Sequence, residues 1–514
     1  MTRLLPVTHL PLAEANAAGI AVWLRTHVAE TAQLSSDTRT VQAGDIFLAY
    51  RVGNSHHHSD GRPHIAAAVA AGAAAIVAEA DAYAGPAECA VPLLLVPGLH
   101  RLAGECAALW YGNPGHAMHI VGITGTNGKT SCSHWLAQAL SQPGKPCAMI
   151  GTLGSGLPGT VQATGFTTPD AVQLQRTLAA FARKGAKAVA MEVSSHGLEQ
   201  QRVAGTPFHT AVFTNLTQDH LDYHGTMAAY GEVKRQLFTW PGLACAVINR
   251  DDPFGQSLLA GLPATVTAWE YGIGGEAAPM HGAAHWLSAT DVRAGDTGTE
   301  CLLRSDMGES RVQLPVIGQF NLSNALAVLG ALLAAGMKWS GAINKLRVLS
   351  AVPGRMEQFG GHGAPLAVVD YAHTPDALDK ALQTLRPLAD ARQGRLWCVF
   401  GCGGDRDAGK RPLMGRVAAE RADEIVLTSD NPRSEAPQAI LAQIAQGLPA
   451  GRTVQRIEDR ATAILYALKH AADSDVVLVA GKGHEATQEI QGRKLAFSDQ
   501  EHVRLALATR GGAR

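Results

Sequence analysis

The sequence predicts an α/β protein of several domains built on largely parallel sheets. Three observations lead there. A glycine-rich loop, Gly122-Ile-Thr-Gly-Thr-Asn-Gly-Lys-Thr-Ser131, follows the apolar run Ile120 to Ile123 and opens onto a helical stretch, Cys132 to Leu140. Strand, loop and helix in that order aim backbone N–H groups and a helix N-terminus at a phosphate chain. Residues 366–480 alternate apolar runs with helical stretches, the pattern of a doubly wound α/β domain. Turn-rich breaks at Tyr111-Gly-Asn-Pro-Gly115 and Val352-Pro-Gly354 divide a chain whose 514 residues are too many for one core.

Composition narrows the class. The chain is 46% hydrophobic and 17% charged, as an ordinary globular protein is. Its 43 basic and 44 acidic residues leave a formal net charge of -1, so no field of either sign favours nucleic acid or an anionic membrane. Eight cysteines without a C-x-x-C pair fit a reducing compartment and argue against a disulfide frame. The start, Met-Thr-Arg-Leu-Leu-Pro, has no apolar secretory core, and the longest apolar stretch, Ile65 to Ala78, is too short to span a bilayer. A cytoplasmic protein is expected.

Taken in order, Gly44 to Ala49 reads as a buried strand, followed by an Ala-rich helix from Ile65 and a strand at Ala75 to Ala78. Between them lies Asn54-Ser-His-His-His-Ser-Asp-Gly61. Adjacent histidines cannot all face one ion, so a polar loop is expected rather than a metal site. In the phosphate loop the glycines fall at 122, 125 and 128, a G-x-x-G-x-x-G-K-[ST] spacing narrower than the general nucleotide loop and pointing away from GTPases and motors. Lys129 is placed to meet the outer phosphates and the Thr130 hydroxyl to meet a magnesium ion. Thr168 before Pro169 predicts a helix N-cap. Ala186 to Val193 reads as a strand ending in Glu192, where a magnesium-binding carboxylate is needed. A strand at Thr210 to Phe213 leads into Thr214-Asn-Leu-Thr-Gln-Asp-His-Leu-Asp-Tyr-His224, and Lys234 follows in a helix over 227–238. Residues 270–312 read as glycine-rich and irregular, with short strands at 286–292 and 300–303. A helix at 325–335, apolar on nearly all sides, is expected to be buried. Beyond 352 the strands are expected at 366–369, 396–400, 424–428 and 475–480, with helices at 375–385 and from Arg411 and Pro437. Their C-terminal ends carry Asp370-Tyr-Ala-His373, Gly401 to Asp407, Asp430-Asn-Pro-Arg433 and Gly481-Lys-Gly-His-Glu485, which places a ligand on that rim.

The motifs, in this order and over essentially the whole chain, resemble the Mur ligase family, and within it the branch that extends a UDP-muramyl dipeptide with meso-2,6-diaminopimelate. The resemblance rests on Gly125 to Ser131, Thr167-Thr168, Met191 to Leu198, Asp219-His-Leu-Asp222, Lys234, Gly318-Gln-Phe-Asn321, Gly354-Arg-Met-Glu357 and Asp370 to Pro375. Asp405-Arg406, Asp430 to Arg433 and Gly481 to Glu485 complete the set. It implies three domains: residues 1–113 for the UDP end, a mostly parallel central ATPase domain at 114–351, and a Rossmann-like domain at 352–514 for the incoming amino acid. It implies a role in peptidoglycan synthesis, and so in cell-wall biogenesis, cell shape and division, by a cytoplasmic monomer using ATP and Mg2+.

The implied chemistry is phosphorylation of the dipeptide carboxylate by ATP, then attack of the diaminopimelate amine on the acyl phosphate. Negative charge concentrates in both transition states, so fixed cations, metals and N–H donors supply most of the catalysis. The catalytic residues are then Lys129, Glu192, His220 and Lys234. Gly125, Thr126, Asn127, Gly128, Lys129, Thr130, Ser131, Asn321, Arg355 and Asp370 hold the nucleotide. Ser36, Thr38, Thr167, Thr168, Ser194, Gln200 and Arg202 contact the UDP substrate. Thr130, Glu192, His220 and Lys234, the last as a carbamate, bind metal. A free lysine would be a cation beside metal ions, whereas a carbamate offers hard anionic oxygens. Arg406, Asp430, Asn431, Pro432, Arg433, Gly481 and Glu485 form the diaminopimelate pocket, in which the Arg433 fork suits a distal carboxylate better than a lysine ammonium. Three departures from the family pattern stand out: Asp37-Thr-Arg39 where Asp-Ser-Arg is usual, a longer loop after Gly53 bearing His57, His58 and Ser59 toward the uridine end, and Phe166 in place of an asparagine. The rival readings are a lysine-adding relative, a folylpolyglutamate synthetase-like ligase and a nucleotide-binding scaffold without ligase activity.

Overall fold

A computed structural model of the chain describes residues 4–53, 58–275, 279, 282–295 and 298–511. His57 and its neighbours 54–56 lie outside the described residues, whereas His58 and Ser59 fall in the short strand His58–Asp60. The chain divides into two compact units, the first holding Met1–Thr290, Leu303–Ser310 and Ser323–Leu346, the second Asp291–Leu302, Arg311–Leu322 and Arg347–Arg514. Three large sheets with flanking helices, besides three two-stranded ones among the described residues, make the protein an α/β fold.

The first sheet is parallel throughout, in the order Thr8–His9, Leu93–Val96, Ala75–Glu79, Ile46–Ala49, Leu34–Ser35. Its three inner strands are buried on both faces, and successive residues enter two different cores. Leu48, Val77 and Leu94 pack with Ile20, Leu24 and Leu99 of the helices Ala17–His27 and Leu99–Trp110. Phe47, Ile76 and Leu93 pack with Ile65 and Ala68 of the helix Ile65–Ala70. Both faces are therefore covered, as a parallel sheet requires.

The central sheet runs in the order Gly154–Gly156, Cys147–Gly151, Ala188–Glu192, His119–Thr124, Phe208–Phe213, Cys245–Asn249, Thr267–Ile273, His285–Gly295, Gly298–Ser305, Gly308–Leu314. Pairing is parallel from Cys147 to His285. The strand that feeds the glycine loop lies inside the sheet, with Ile123 opposite Glu192 and Thr124 opposite Phe213. Register thus delivers the loop, the Glu192 carboxylate and the segment after Phe213 to one edge.

Several expectations are corrected. The helix after Pro169 spans Ala171–Arg183, and its cap is Asp170, whose Oδ1 accepts from Val172 N and Gln173 N at 3.1 and 3.0 Å. Thr168 instead donates its hydroxyl to Glu192 O at 3.0 Å. Among the described residues of 270–312, the short strands expected at 286–292 and 300–303 are parts of the longer strands His285–Gly295 and Gly298–Ser305, and Gly308–Leu314 adds a third, with exposed positions interspersed that dilute the apolar signal. Helix 227–238 ends at Arg235 and continues as a 3₁₀ turn over Gln236–Thr239. The buried helix starts earlier, as Gln319–Ala334, and the helix from Pro375 runs through Pro387 to Ala391.

In the second unit the sheet order is Glu357–Gly360, Leu366–Asp370, Val476–Ala480, Leu396–Phe400, Glu424–Leu427, Gln455–Arg456. Only the first pair is antiparallel. Helices Pro375–Ala391, Lys410–Arg421 and Pro437–Ala445 cover one face, and Arg460–His470 and Asp499–Gly511 the other. The doubly wound reading holds, and the four polar loops leave the C-terminal ends of its parallel strands. Among the described residues no helix is long and apolar enough to cross a membrane.

Candidate active site

The glycine loop of the first unit turns sharply where a side chain has no room. Gly125 has φ +142°, and a Cβ there would lie 2.0 Å from Thr214 Oγ1; Gly128 has φ +89°, and its Cβ would lie 2.3 Å from Asn324 Oδ1. The segment after Phe213 props the loop. Asn215 accepts from Thr126 N on its backbone oxygen at 2.8 Å and from Asn127 N on its side chain at 3.0 Å. Helix Lys129–Leu140 starts at the loop's end, its N-terminus directed to the same side. Lys129 Nζ donates to Gly125 O and Thr126 O at 2.8 and 2.7 Å, so it hooks over the loop it follows. A loop of this shape is a cradle for phosphate oxygens.

Glu192 is buried and fully employed. Its Oε2 accepts from Thr130 Oγ1 at 3.0 Å and Thr152 Oγ1 at 3.1 Å, and its Oε1 from Thr152 N at 2.8 Å. Thr152 Oγ1 also lies 3.1 Å from Thr167 Oγ1. A hydroxyl and a carboxylate converging in a buried pocket form a hard-oxygen pair suited to magnesium. His220 sits at φ +53°, with Nε2 3.4 Å from Asp219 Oδ2 and its ring 4.8 Å from that of His196. Burial, with Lys129 and Lys234 nearby, lowers the His220 pKa despite Asp219, which favours the neutral, metal-binding imidazole. His196 and His224, pushed down to about 4 chiefly by burial, line the same wall. Lys234 is 1% exposed and donates to Gly125 O at 3.0 Å, with Nζ 4.4 Å from the centre of the Tyr230 ring. Burial first, and the Lys129 ammonium second, depress its pKa well below the ordinary lysine value. Among the described residues no group of three His, Cys, Asp or Glu is arranged to hold a metal by itself. Thr130 and Glu192 nevertheless offer converging oxygen donors that fit such an ion chemically, and His220 offers an imidazole with Lys234 nearby.

Of the residues expected at the UDP substrate, Ser36 and Gln200 line two separate cavities. Ser36, whose Oγ donates to Asp170 Oδ1 at 2.8 Å, lines a cavity of about 400 Å³ with Asp37, Arg39, Phe166 and Asp170, and Thr38 sits half-buried in the adjacent turn. Gln200 lines a second, of about 610 Å³, with Arg51, Arg62, His100 and Arg101. Thr168, Ser194, Gln200 and Arg202 form one network. Ser194 N donates to Thr168 Oγ1 at 3.1 Å, Arg202 Nη1 to Thr168 O at 2.9 Å, and Arg202 Nη2 to Gln200 Oε1 at 2.6 Å. Ser194 also caps its helix through Gly197 N at 3.0 Å.

On the rim of the second unit, Asp370 accepts from Met356 N and Ala372 N at 2.8 and 2.9 Å, and burial raises its pKa against the pull of Arg355. The Arg355 guanidinium lies 4.5 Å over the Tyr371 ring. Asn321 is buried and donates to Ile317 O at 3.0 Å. Asn431, Lys482 and Glu485 interlock, with Glu485 Oε2 accepting from both Asn431 Nδ2 and Lys482 Nζ at 2.8 Å. Burial opposes ionisation of Glu485, yet Lys482 and Asn431 hold its pKa below the usual value. Asp430 is pushed up by burial, with Lys482 Nζ 3.8 Å away and Gly481 close enough that a Cβ would lie 3.2 Å from its Oδ2. Arg433, at φ +50°, donates from Nη1 to Gly404 O at 2.7 Å, and Pro432 O accepts from Glu435 N at 3.0 Å. Arg406 and Arg433 both flank Gly403, where a Cβ would lie 3.8 Å from Arg406 Cγ and 3.0 Å from Arg433 Nη1. Two guanidiniums and two carboxylates on one rim can read a zwitterionic amino acid at both ends.

Sequence reasoning missed Thr152, Asn215, Asn324 and Lys482. Of these, Lys482, inside the Gly481 to Glu485 motif, and Asn215, inside the Thr214 to His224 stretch, carried a signal in the sequence.

Two family profiles match the chain: the Mur ligase middle domain over residues 123–332 and the Mur ligase glutamate ligase domain over residues 354–483. A UDP-N-acetylmuramoyl-L-alanyl-D-glutamate–2,6-diaminopimelate ligase of Ralstonia nicotianae is 59% identical, covering 97% of this chain and 97% of that protein. One of the same name from Janthinobacterium sp. is 51% identical over 96% and 97%. The solved structure of a ligase of that name superposes with a TM-score of 0.66 at 36% identity, covering 93% of this chain and 95% of the other. Relatedness at this level, along nearly the whole length, means that the chain belongs to the Mur ligase family.

Proposed function

We propose that the chain joins meso-2,6-diaminopimelate to UDP-N-acetylmuramoyl-L-alanyl-D-glutamate in peptidoglycan precursor synthesis, converting ATP to ADP and phosphate. The observation that carries this reading is Glu192, a buried carboxylate that ties the phosphate loop, through Thr130, to the substrate threonine Thr167, through Thr152. One side chain thus couples the nucleotide to the acid it phosphorylates.

A carboxylate is a poor acyl donor because oxide would have to leave. The dipeptide carboxylate takes the γ-phosphoryl group, ADP departs, the amine attacks the acyl carbon, and phosphate leaves from the tetrahedral intermediate. Lys129 and the amides of Gly125 to Ser131 hold the β- and γ-phosphates, and Asn321, Arg355 and Asp370 complete the nucleotide contacts. Ser36, Thr38, Thr167, Thr168, Ser194, Gln200 and Arg202 orient the UDP-linked dipeptide. Thr130 and Glu192 would hold one Mg2+, and His220 with a Lys234 carbamate a second; when bound, the metal neutralises phosphate charge. In the acceptor pocket Asp430 and Glu485 meet ammonium groups, Arg406 and Arg433 meet carboxylates, and Asn431, Pro432 and Gly481 shape the wall. The chain works as a cytoplasmic monomer with domains at 1–113, 114–351 and 352–514.

The test is phosphate release with ATP, magnesium and the UDP-dipeptide, adding meso-diaminopimelate or L-lysine in parallel. Release with diaminopimelate alone supports the reading. Release with lysine instead keeps the family and overturns the pocket assignment, and silence with both favours a folate-type ligase or an inactive scaffold.

A further inference from the structure

The two loops bearing Arg406 and Arg433 are fastened together by a side chain outside every motif described above. Glu435 Oε1 accepts from Asp405 N at 2.6 Å, and the same carboxylate receives a two-pronged contact from Arg411, at 2.8 Å on each oxygen. Arg411 is fully buried and reaches further, from Nη2 to Gly403 O at 3.0 Å and from Nη1 to Gln443 Oε1 at 2.5 Å. From the other side, the Asp405 carboxylate accepts from Ser434 Oγ at 2.6 Å and Ser434 N at 3.1 Å, and Gly404 N donates to Asn431 O at 2.9 Å. The loops are so close that a Cβ on Gly404 would lie 2.0 Å from Pro432 O.

The backbone at both ends is unusual. Asp405, next to Arg406, has φ +53°, and Arg433 itself has φ +50°. A side-chain-bearing residue occupies that region only where its surroundings over-determine it. Here the surroundings are the Glu435–Arg411 fork and the Asp405–Ser434 pair, which hold the two left-handed residues and hence the roots of the two arginines. Arg411 also holds the Glu435 carboxyl far down, to about 2, so that the fork stays charged throughout the working range.

We infer that Glu435 is a positioning residue: it latches the 403–407 loop to the 430–435 loop, fixes the spacing of Arg406 and Arg433, and thereby selects an acceptor with a distal carboxylate. This rests on the proposed ligase activity. Geometry, rather than charge at the substrate, is what Glu435 supplies, because its oxygens are consumed by Arg411 and Asp405.

The experiment is steady-state kinetics on the full chain carrying Glu435→Ala, Glu435→Gln or Asp405→Asn, with meso-diaminopimelate, L-lysine and ATP varied separately. In Glu435→Ala the KM for diaminopimelate is expected to rise about tenfold or more, while kcat at saturation and the KM for ATP stay within about twofold. The preference for diaminopimelate over lysine should fall by a similar factor, with Glu435→Gln lying between wild type and alanine because its amide oxygen still accepts. Should Glu435→Ala lose its cooperative thermal transition, Asp405→Asn decides, since it loosens the same latch from an exposed position. An unchanged diaminopimelate KM, or KM values for ATP and diaminopimelate that rise together, overturns the inference. Wild-type protein inert with diaminopimelate instead overturns the activity on which it rests.

Discussion

Lys234 offers the sharpest test of the catalytic reading. An exposed lysine of pKa about 10.4 is neutral in only about 0.4% of molecules at pH 8. Only the neutral amine adds CO2, forming an N–C bond and releasing a proton. Burial at 1% exposure and the Lys129 ammonium both move Lys234 toward the neutral form. Its tendency to carbamylate can therefore exceed that of a surface lysine by up to about 250-fold, the ratio of full neutrality to that small fraction. The product also places beside the phosphate loop an anion that can accept from Lys129 or ligate a metal. The assay is NMR of the full chain in isotopically labelled bicarbonate, alongside phosphate release, for wild type and Lys234→Met. One protected carbamate resonance is expected in wild type and not in the variant, whose turnover should drop on the order of 10²-fold or more and recover partly with added short carboxylates. A wild-type spectrum without that resonance, or a Lys234→Met enzyme of normal rate, would refute the reasoning.

Other outcomes follow from the same geometry. Gly128→Ala sets a Cβ at φ +89° and 2.3 Å from Asn324 Oδ1; about 1–2 kcal/mol of backbone strain should appear as a lowered Tm, with a raised KM for ATP. Arg433→Ala removes a fork worth about 1.5–3 kcal/mol to a carboxylate, so discrimination of diaminopimelate over lysine should shrink by about 10- to 100-fold in competition assays. His119, at the end of the central strand remote from the loop, has its pKa pushed down to about 4 by burial and by His209. Its unfolded form takes up a proton near pH 6.5 while the native form resists until about pH 4. Stability is therefore lost as pH falls through that window, by at most ~3 kcal/mol from this group. Chemical denaturation at pH 7 and pH 4.5 should show a smaller drop for His119→Gln than for wild type.

The sequence was most legible where local pattern and tertiary role agree. The strand Leu396–Phe400 was read to the residue because five apolar positions buried on both faces need no partner to identify them. The glycine loop was legible because its φ values and its crowding both demand glycine. At Pro169 the pattern misled: the two residues flanking the proline, Thr168 and Asp170, could each cap the helix, and the choice turned on Glu192 O, 24 residues away, claiming the Thr168 hydroxyl. The edge strands His285–Gly295 and Gly298–Ser305 were legible only as shorter runs at 286–292 and 300–303, and Gly308–Leu314 not at all, because exposed polar positions interrupt their apolar pattern. Thr152 and Asn324 gave no sign at all. Their roles consist of contacts with residues 40 and 196 positions away, Glu192 and Gly128, and nothing local marks a threonine or asparagine for such work.

The cap at Asp170 reaches beyond its helix. The same carboxylate oxygen that binds Val172 N and Gln173 N also accepts from Ser36, and Val172 itself belongs to the core beneath the first sheet. The helix Ala171–Arg183 is thus shared tissue between two sheets. A fragment ending at residue 113 would be left with an open apolar socket where Val172 sits, and would be prone to aggregate. Chimeras between relatives should fold best when the first sheet travels with this helix, so that recombination respects the packing and not merely the turn at Tyr111 to Gly115.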